Sequence, residues 1–220
     1  MDFVKKAVTF SLLFLLCNSF SQASTTYNVN GFQFTEYTDR SEWLTDVSGT
    51  VHSEDFNDYS LIPELSINST NGRINRYRDD WYDRLTGNRQ YETSFTFSQA
   101  ANAFGGDWTV DTRYQGQGSN GLGIAIFFDL LSGSTHRLYR EIPNDLIGFF
   151  GIILPEDVLF SSLHLAEGTQ GPSHGIETYY LDNFAFNDPQ PVPLPAAVWL
   201  FVTGVVTFSV FNYKRKAKEV

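Results

Sequence analysis

Between residues 24 and 186 the apolar residues arrive in short, aromatic-rich, alternating runs cut by glycine and asparagine, a pattern that few folds other than packed β-sheets can use. Phe32-Gln33-Phe34-Thr35, Phe95-Thr96-Phe97 and Trp108-Thr109-Val110 alternate with the period of a strand that buries one face. Leu122 to Leu131 is a near-continuous apolar run with Gly123 inside it, consistent with a buried strand. Ile147 to Leu154 and Leu159 to Leu165 read the same way, and Thr178 to Phe186 closes the set. Turn signals fall between them at Asn71-Gly72, Gly105-Gly106, the glycine-rich 116–121 stretch, Ser132-Gly133 and Gly168 to Gly175. One helix is predicted from Ser41 to Val47, capped by Asp39 with Glu42 three residues on, its apolar pair Trp43 and Leu44 facing the sheet. Many short strands with one short helix predict a mostly β chain, an antiparallel β-sandwich of jelly-roll-like design.

The stability of that sandwich has to come from packing. The single cysteine, Cys17, lies before residue 24, so the segment 24–189 has neither disulfides nor thiolate metal sites. The same segment carries nine arginines, no lysine and twenty-three acidic residues, 9 − 23 = −14 with histidine neutral. Such a surface repels nucleic acid and anionic lipid, which need a basic patch, and is compatible with divalent cations.

Both ends differ from the body. Lys5 and Lys6 precede an apolar run from Ala7 to Leu16, and Ser21-Gln22-Ala23 supplies small residues for cleavage, which predicts a signal peptide over 1–23 and a mature chain starting at Ser24. Leu16 stands where a lipoprotein signal before Cys17 needs a small residue. The ectodomain is expected over 24–186, with a proline-rich linker over 187–195. Ala196 to Phe211 is then free of charge, and with Trp199 and Tyr213 as interfacial aromatics it predicts a transmembrane helix over 196–213, since a span takes about 20 apolar residues. Lys214, Arg215 and Lys216 head a basic tail, 214–220, expected to stay cytoplasmic.

Val192-Pro193-Leu194-Pro195-Ala196 with the apolar helix and basic stop resembles the carboxyl-terminal sorting signal of PEP-CTERM exported proteins, in the VPLPA-CTERM variant. The resemblance covers residues 192–216. It implies an exosortase-type processing enzyme as partner, a membrane intermediate anchored by the tail, and delivery to the surface or extracellular matrix of a Gram-negative bacterium. More faintly, Thr38 to Val47, Glu54-Asp55-Phe56, Gly148-Phe149-Phe150-Gly151 and Glu177 to Phe184 resemble landmarks of ectodomains common in that class. The opening and closing carboxylates also resemble those of carbohydrate-binding jelly rolls with a structural calcium. That resemblance implies Asp55, Asn57 and Asp182 as oxygen donors, with Asn57 standing where those modules usually have glutamate. Calcium takes about six to eight oxygens. The plainer alternative is that Asp182-Asn183 turns the chain or caps a strand end.

Catalytic motifs do not survive inspection. Gly171-Pro172-Ser173-His174-Gly175 fits the nucleophile elbow, but a strand-like run follows it and no histidine lies beyond His174. Gly116 to Gly121 fits a dinucleotide fingerprint, yet its glycines precede a strand instead of opening a helix. His52, His136, His164 and His174 show no metal-ligand spacing. A carboxylate pair of the glycosidase type is defined by its spatial separation, which sequence does not display. The densest polar–aromatic cluster is Tyr77-Arg78-Asp79-Asp80-Trp81-Tyr82-Asp83-Arg84. With Trp108 and Tyr114 it is the candidate glycan site, Trp81, Tyr82 and Trp108 offering ring faces; alternatively Trp81 packs in the core and the charges solvate a loop. The expected function is therefore a non-enzymatic exported surface or matrix protein that binds polysaccharide. The alternatives are a secreted polysaccharide hydrolase and a plain single-pass anchored domain.

Overall fold

The computed structural model describes residues 23–29, 31–86, 91–110, 121–171 and 175–189. The strands are β1 (Ser24–Val29), β2 (Phe32–Tyr37), β3 (Thr50–Glu54), β4 (Leu65–Ser69), β5 (Arg73–Asn75), β6 (Asp80–Thr86), β7 (Thr93–Ala101), β8 (Ala103–Thr109), β9 (Ile124–Leu130), β10 (Thr135–Ile142), β11 (Ile147–Ile153), β12 (Phe160–Glu167) and β13 (Ile176–Asp188). The helix α1 (Arg40–Asp46) follows β2. The first sheet has the order β1-β2-β11-β8-β13-β6-β5, with β3 also on β13; the second has β10-β9-β12-β7-β4, and every pairing is antiparallel. From β6 onward the chain alternates between sheets except at the β9–β10 hairpin, giving β6-β13-β8-β11 in one and β7-β12-β9-β10 in the other, the order of a jelly roll.

Alternation along each strand builds the core. Phe95 and Phe97 of β7 meet Phe184 and Phe186 of β13, with ring centroids 4.8 Å apart for Phe95–Phe184 and 4.6 Å for Phe97–Phe186. Phe104 of β8 meets Phe128 of β9 at 5.9 Å. Offset and tilted aromatic pairs of this kind contribute about 0.5–1.5 kcal/mol beyond their buried area. The predicted apolar runs all become strands, and IAIFF of β9 is buried at every position, as a strand covered on both faces must be.

Asp39 caps α1 as expected, its Oδ1 accepting the Glu42 N–H at 3.0 Å. Of the predicted apolar pair only Trp43 packs, fully buried on the outside of the first sheet, whereas Leu44 is 48% exposed. Consecutive side chains on a helix are rotated by about 100°, which carries Leu44 away from the sheet.

Two boundaries move. Gly105-Gly106, expected as a turn, lies inside β8, because the missing side chains make room for neighbours: a Cβ on Gly105 would sit 2.6 Å from the Phe149 ring, and one on Gly106 would run into Leu181. The sandwich also reaches past residue 186. Asn187 and Asp188 pair with Val51 and Thr50, and the buried Asn187 side chain accepts from the Asn102 and Ala103 N–H groups at 3.0 and 2.9 Å and donates to Ser48 O at 2.9 Å. Buried carboxylates tie down two loops similarly: Glu54 accepts from Phe56 and Ile62 N–H at 2.6 and 2.8 Å, and Glu177 from Leu122 and Gly123 at 2.6 and 3.1 Å.

The signal-peptide region, the sorting motif Val192 to Ala196, the basic stop Lys214 to Lys216 and the predicted span 196–213 lie outside the described residues. Among the described residues no helix is long and apolar enough to cross a membrane.

Candidate functional site

The solvent face of the first sheet gathers the polar–aromatic chemistry. In β6 and β13, Trp81, Leu85, Tyr179 and Leu181 belong to the core, so Asp80, Tyr82, Tyr180 and Asp182 take the opposite face. Register then lays out a row across the strands, Arg73, Tyr82, Tyr180, Thr109 and Ile147. One step along, Asp182 stands opposite Asp107, which stands opposite Phe149.

Tyr82 and Tyr180 form a tilted pair, centroids 5.2 Å apart. Guanidinium groups sit on both: Arg73 5.1 Å above Tyr82 and Arg78 4.4 Å above Tyr180. Arg78 Nε also lies 3.2 Å from Asp80 Oδ2, and Arg40 of α1 reaches Asp107 at 3.2 Å while covering Phe149. Beside them is a cavity of about 300 Å³ lined by Arg78, Asp80, Asp107, Thr109, Tyr180 and Asp182, among others.

Two carboxyls there are displaced from their ordinary behaviour. Burial pushes Asp80 up, against the pull of Arg78, and its Oδ1 is buried with no hydrogen-bond partner among the described residues. Burial also pushes Asp182 up; the Asn183 N–H opposes this, while the nearby charges of Asp107 and Asp55 reinforce it. Asp182-Asn183 neither turns the chain nor caps a strand. It is a bulge in β13, with Asn183 at φ 47°, a left-handed conformation that asparagine tolerates.

The expected site residues separate. Trp81 and Trp108 are core residues, 6% and 1% exposed, and Trp108 Nε1 donates to Phe150 O at 3.1 Å, although Trp108 also borders the cavity. Strand alternation is the reason, since 81 points in wherever 82 points out. Tyr82 does lie on the outer face, and Tyr180, Arg78, Asp80, Asp107 and Thr109 join it. Tyr114 lies outside the described residues. Of the calcium set, Asp55 is close enough to Asp182 to raise it, and the backbone N–H of Asn57 donates to Asp55 Oδ1 at 3.1 Å. Among the described residues no group of three His, Cys, Asp or Glu side chains is placed to share a metal ion. The Gly116 to Gly121 motif leads into β9, a strand. Tyr180 was hidden in sequence because Tyr179 and Tyr180 are adjacent aromatics on opposite faces.

No protein-family profile and no curated protein matches the chain. Similar solved structures include variants of a family 29 carbohydrate-binding module. One is 10% identical, with a TM-score of 0.45 over 66% of this chain and 99% of that one. A variant complexed with mannohexaose is 11% identical, TM-score 0.45, over 65% of this chain and 94% of that one. Another, complexed with cellulohexaose, is 11% identical, TM-score 0.45, over 66% and 94%.

Proposed function

We propose that this is an exported surface or extracellular-matrix protein that binds polysaccharide without degrading it. The observation that carries the reading is Asp80 Oδ1, a buried acceptor with no hydrogen-bond partner among the described residues, in a cavity beside Tyr180, Arg78 and Asp182. A buried acceptor costs free energy until a donor reaches it. A sugar hydroxyl is such a donor, and Tyr180, 9% exposed beneath the Arg78 guanidinium, borders the same cavity, so a hexose would reach its ring only as Arg78 moves aside. Affinity electrophoresis against neutral glucan and mannan tests this, with polymer length followed in parallel. Retardation without shortening supports binding; no retardation by any polymer overturns it.

A hydrolase is the second reading, favoured by Asp80 and Asp182, two carboxyls pushed up on adjacent strands of one face. Polymer shortening abolished by Asp80→Asn or Asp182→Asn would establish it.

The carboxyl-terminal signal completes the proposal. Val192 to Ala196, the apolar segment and Lys214 to Lys216 would make the tail a temporary inner-membrane anchor, cut by an exosortase-type enzyme. Intact mass and terminal sequencing of the protein from native cells decide this. A species running from near Ser24 to the 192–196 segment supports sorting, and a membrane-bound chain ending at Val220 returns the plain anchored domain. Calcium is retained on Asp55, Asn57 and Asp182, with backbone and water oxygens completing the shell. An unchanged melting midpoint on adding calcium after chelation would remove it.

A further inference from the structure

The outer face of the second sheet carries side chains that the reading above does not use. Register places Ser66, Thr96, Ser162, Asp129 and Thr135 in one row across all five strands, and Asn68, Ser94, His164, Phe127 and Arg137 in the next. Strand spacing sets these groups about 4.8 Å apart along each row. His164 links the rows: its Nδ1 lies 2.8 Å from Ser94 Oγ and its Nε2 2.7 Å from Asp129 Oδ2. Thr135 Oγ1 donates to the other oxygen of Asp129 at 2.6 Å. An ionised aspartate only accepts, so His164 Nε2 donates to Asp129, and in the tautomer with its proton on Nε2 the Nδ1 accepts a hydrogen bond from the Ser94 hydroxyl.

This hydrogen-bonded chain beds a cavity of about 450 Å³, wide enough for a small-molecule ligand, lined from Asn68 and Thr70 through Ser94 and His164 to Asp129 and Thr135. The lining also includes Glu92, and among the described residues it has no lysine or arginine. That composition disfavours an anionic polymer and matches a ligand whose groups are neutral hydroxyls.

Serine, histidine and aspartate are also the parts of an acyl-transfer site. Ser94, however, sits mid-strand, paired with Asn68 on one side and His164 on the other. Ladder N–H groups run in the plane of a sheet, so no backbone donor is aimed above Oγ where an oxyanion would form. The chain orders polar groups for binding instead of activating a nucleophile.

We propose that this groove is a second polysaccharide site, for a neutral chain lying across the strands, and that the domain bridges two polymer chains. The proposal rests on the polysaccharide-binding reading of the first sheet. The two outer faces point away from each other across the sandwich, so both can be occupied at once, and a bivalent binder gains avidity without any new contact.

The test uses the full-length protein with neutral glucan, mannan and galactan, and carboxymethylated glucan as the anionic control. Affinity electrophoresis reads binding and light scattering reads cross-linking. Wild type is expected to be retarded and to cross-link at least one neutral polymer. His164→Ala, Ser94→Ala and the edge-strand variant Asn68→Ala, which spares the hydrogen-bonded chain, should each bind about tenfold more weakly in apparent affinity. Each should stay retarded through the first sheet and fail to cross-link. Tyr180→Ala should likewise bind without cross-linking, and Tyr180→Ala combined with Asn68→Ala should not bind. Unchanged cross-linking by all three second-sheet variants overturns this proposal and leaves the first-sheet reading standing. Binding unaffected by Tyr180→Ala but lost in the second-sheet variants overturns the first-sheet reading and the bridging together. Preference for the anionic polymer also overturns it.

Discussion

Asp182 stands directly opposite Asp107 across the β13–β8 ladder, two carboxylates side by side on a solvent face. Like charges in that position repel. The protein softens the contact with Arg40, 3.2 Å from Asp107, and with the Asn183 amide, 3.1 Å from the same oxygen. The Asn183 N–H answers Asp182 at 2.7 Å. Burial still holds Asp182 above its ordinary value. Strain of this electrostatic kind concentrates at functional surfaces more than in scaffolding.

Acid should favour the fold through these groups. The folded-state pKa of Asp182 lies above the ordinary 3.8, so between that value and the raised one the folded chain binds more protons than the unfolded chain. Stability from Asp182 is then fully present below about pH 4 and is lost as pH rises through the raised pKa. Asp182→Asn should raise the melting midpoint at neutral pH by on the order of a degree or two, with little gain at acid pH. An equal gain at both would remove the assignment.

Tyr180→Ala should weaken polysaccharide binding about tenfold, roughly 1.4 kcal/mol. Its ring lines the cavity and lies under Arg78. Tyr180 packs against Tyr82 outside the inter-sheet core, so far-ultraviolet circular dichroism should be unchanged and the melting midpoint should fall slightly. Trp81→Phe is the contrast, a core substitution that should lower the melting midpoint and leave affinity as it is.

Glu177→Ala should be among the costly single substitutions, about 2–4 kcal/mol in chemical denaturation, since it strands the Leu122 and Gly123 N–H groups away from water. Glu177→Gln keeps an acceptor oxygen and should cost clearly less. Equal losses would show that charge matters more than hydrogen-bond satisfaction.

Gly151→Ala should cost about 1–3 kcal/mol through overpacking. A Cβ there would lie 2.8 Å from Trp43 and 2.9 Å from the Phe149 ring, so α1 would have to lift from the sheet. Faster proteolysis near residues 40–46 should accompany the loss.

The buried strands were legible because β7, β9, β11 and β12 carry apolar runs that only a core can absorb. β4 and β10 escaped, since LSINS and THRLYREI are mostly polar, although Leu65, Leu138 and Ile142 reach the core. β6 was concealed for a sharper reason: it places a charge, Asp83, on the inner face, where Thr93 and the Arg84 N–H satisfy it, and a tyrosine on the outer one. The inverted pattern made a strand look like a charged loop. The candidate site was half legible, as Tyr82 and Asp182 were named from sequence on separate grounds and belong to one face. Their neighbours Asp107 and Tyr180 were not, because register between distant strands is a property of the pairing and not of either segment.

β13 has one more consequence, in the order of synthesis. It is the shared partner of β3, β6 and β8, and among the described residues it is the last strand of the chain to be synthesised. Until Asp188 has emerged the first sheet has no middle, and its earlier strands wait as solvated, protease-accessible chain. Long-range pairings of this kind close late and slowly. A polypeptide lacking this segment would lose the strand that joins β8 to β6 and β3, so the first sheet cannot close without it.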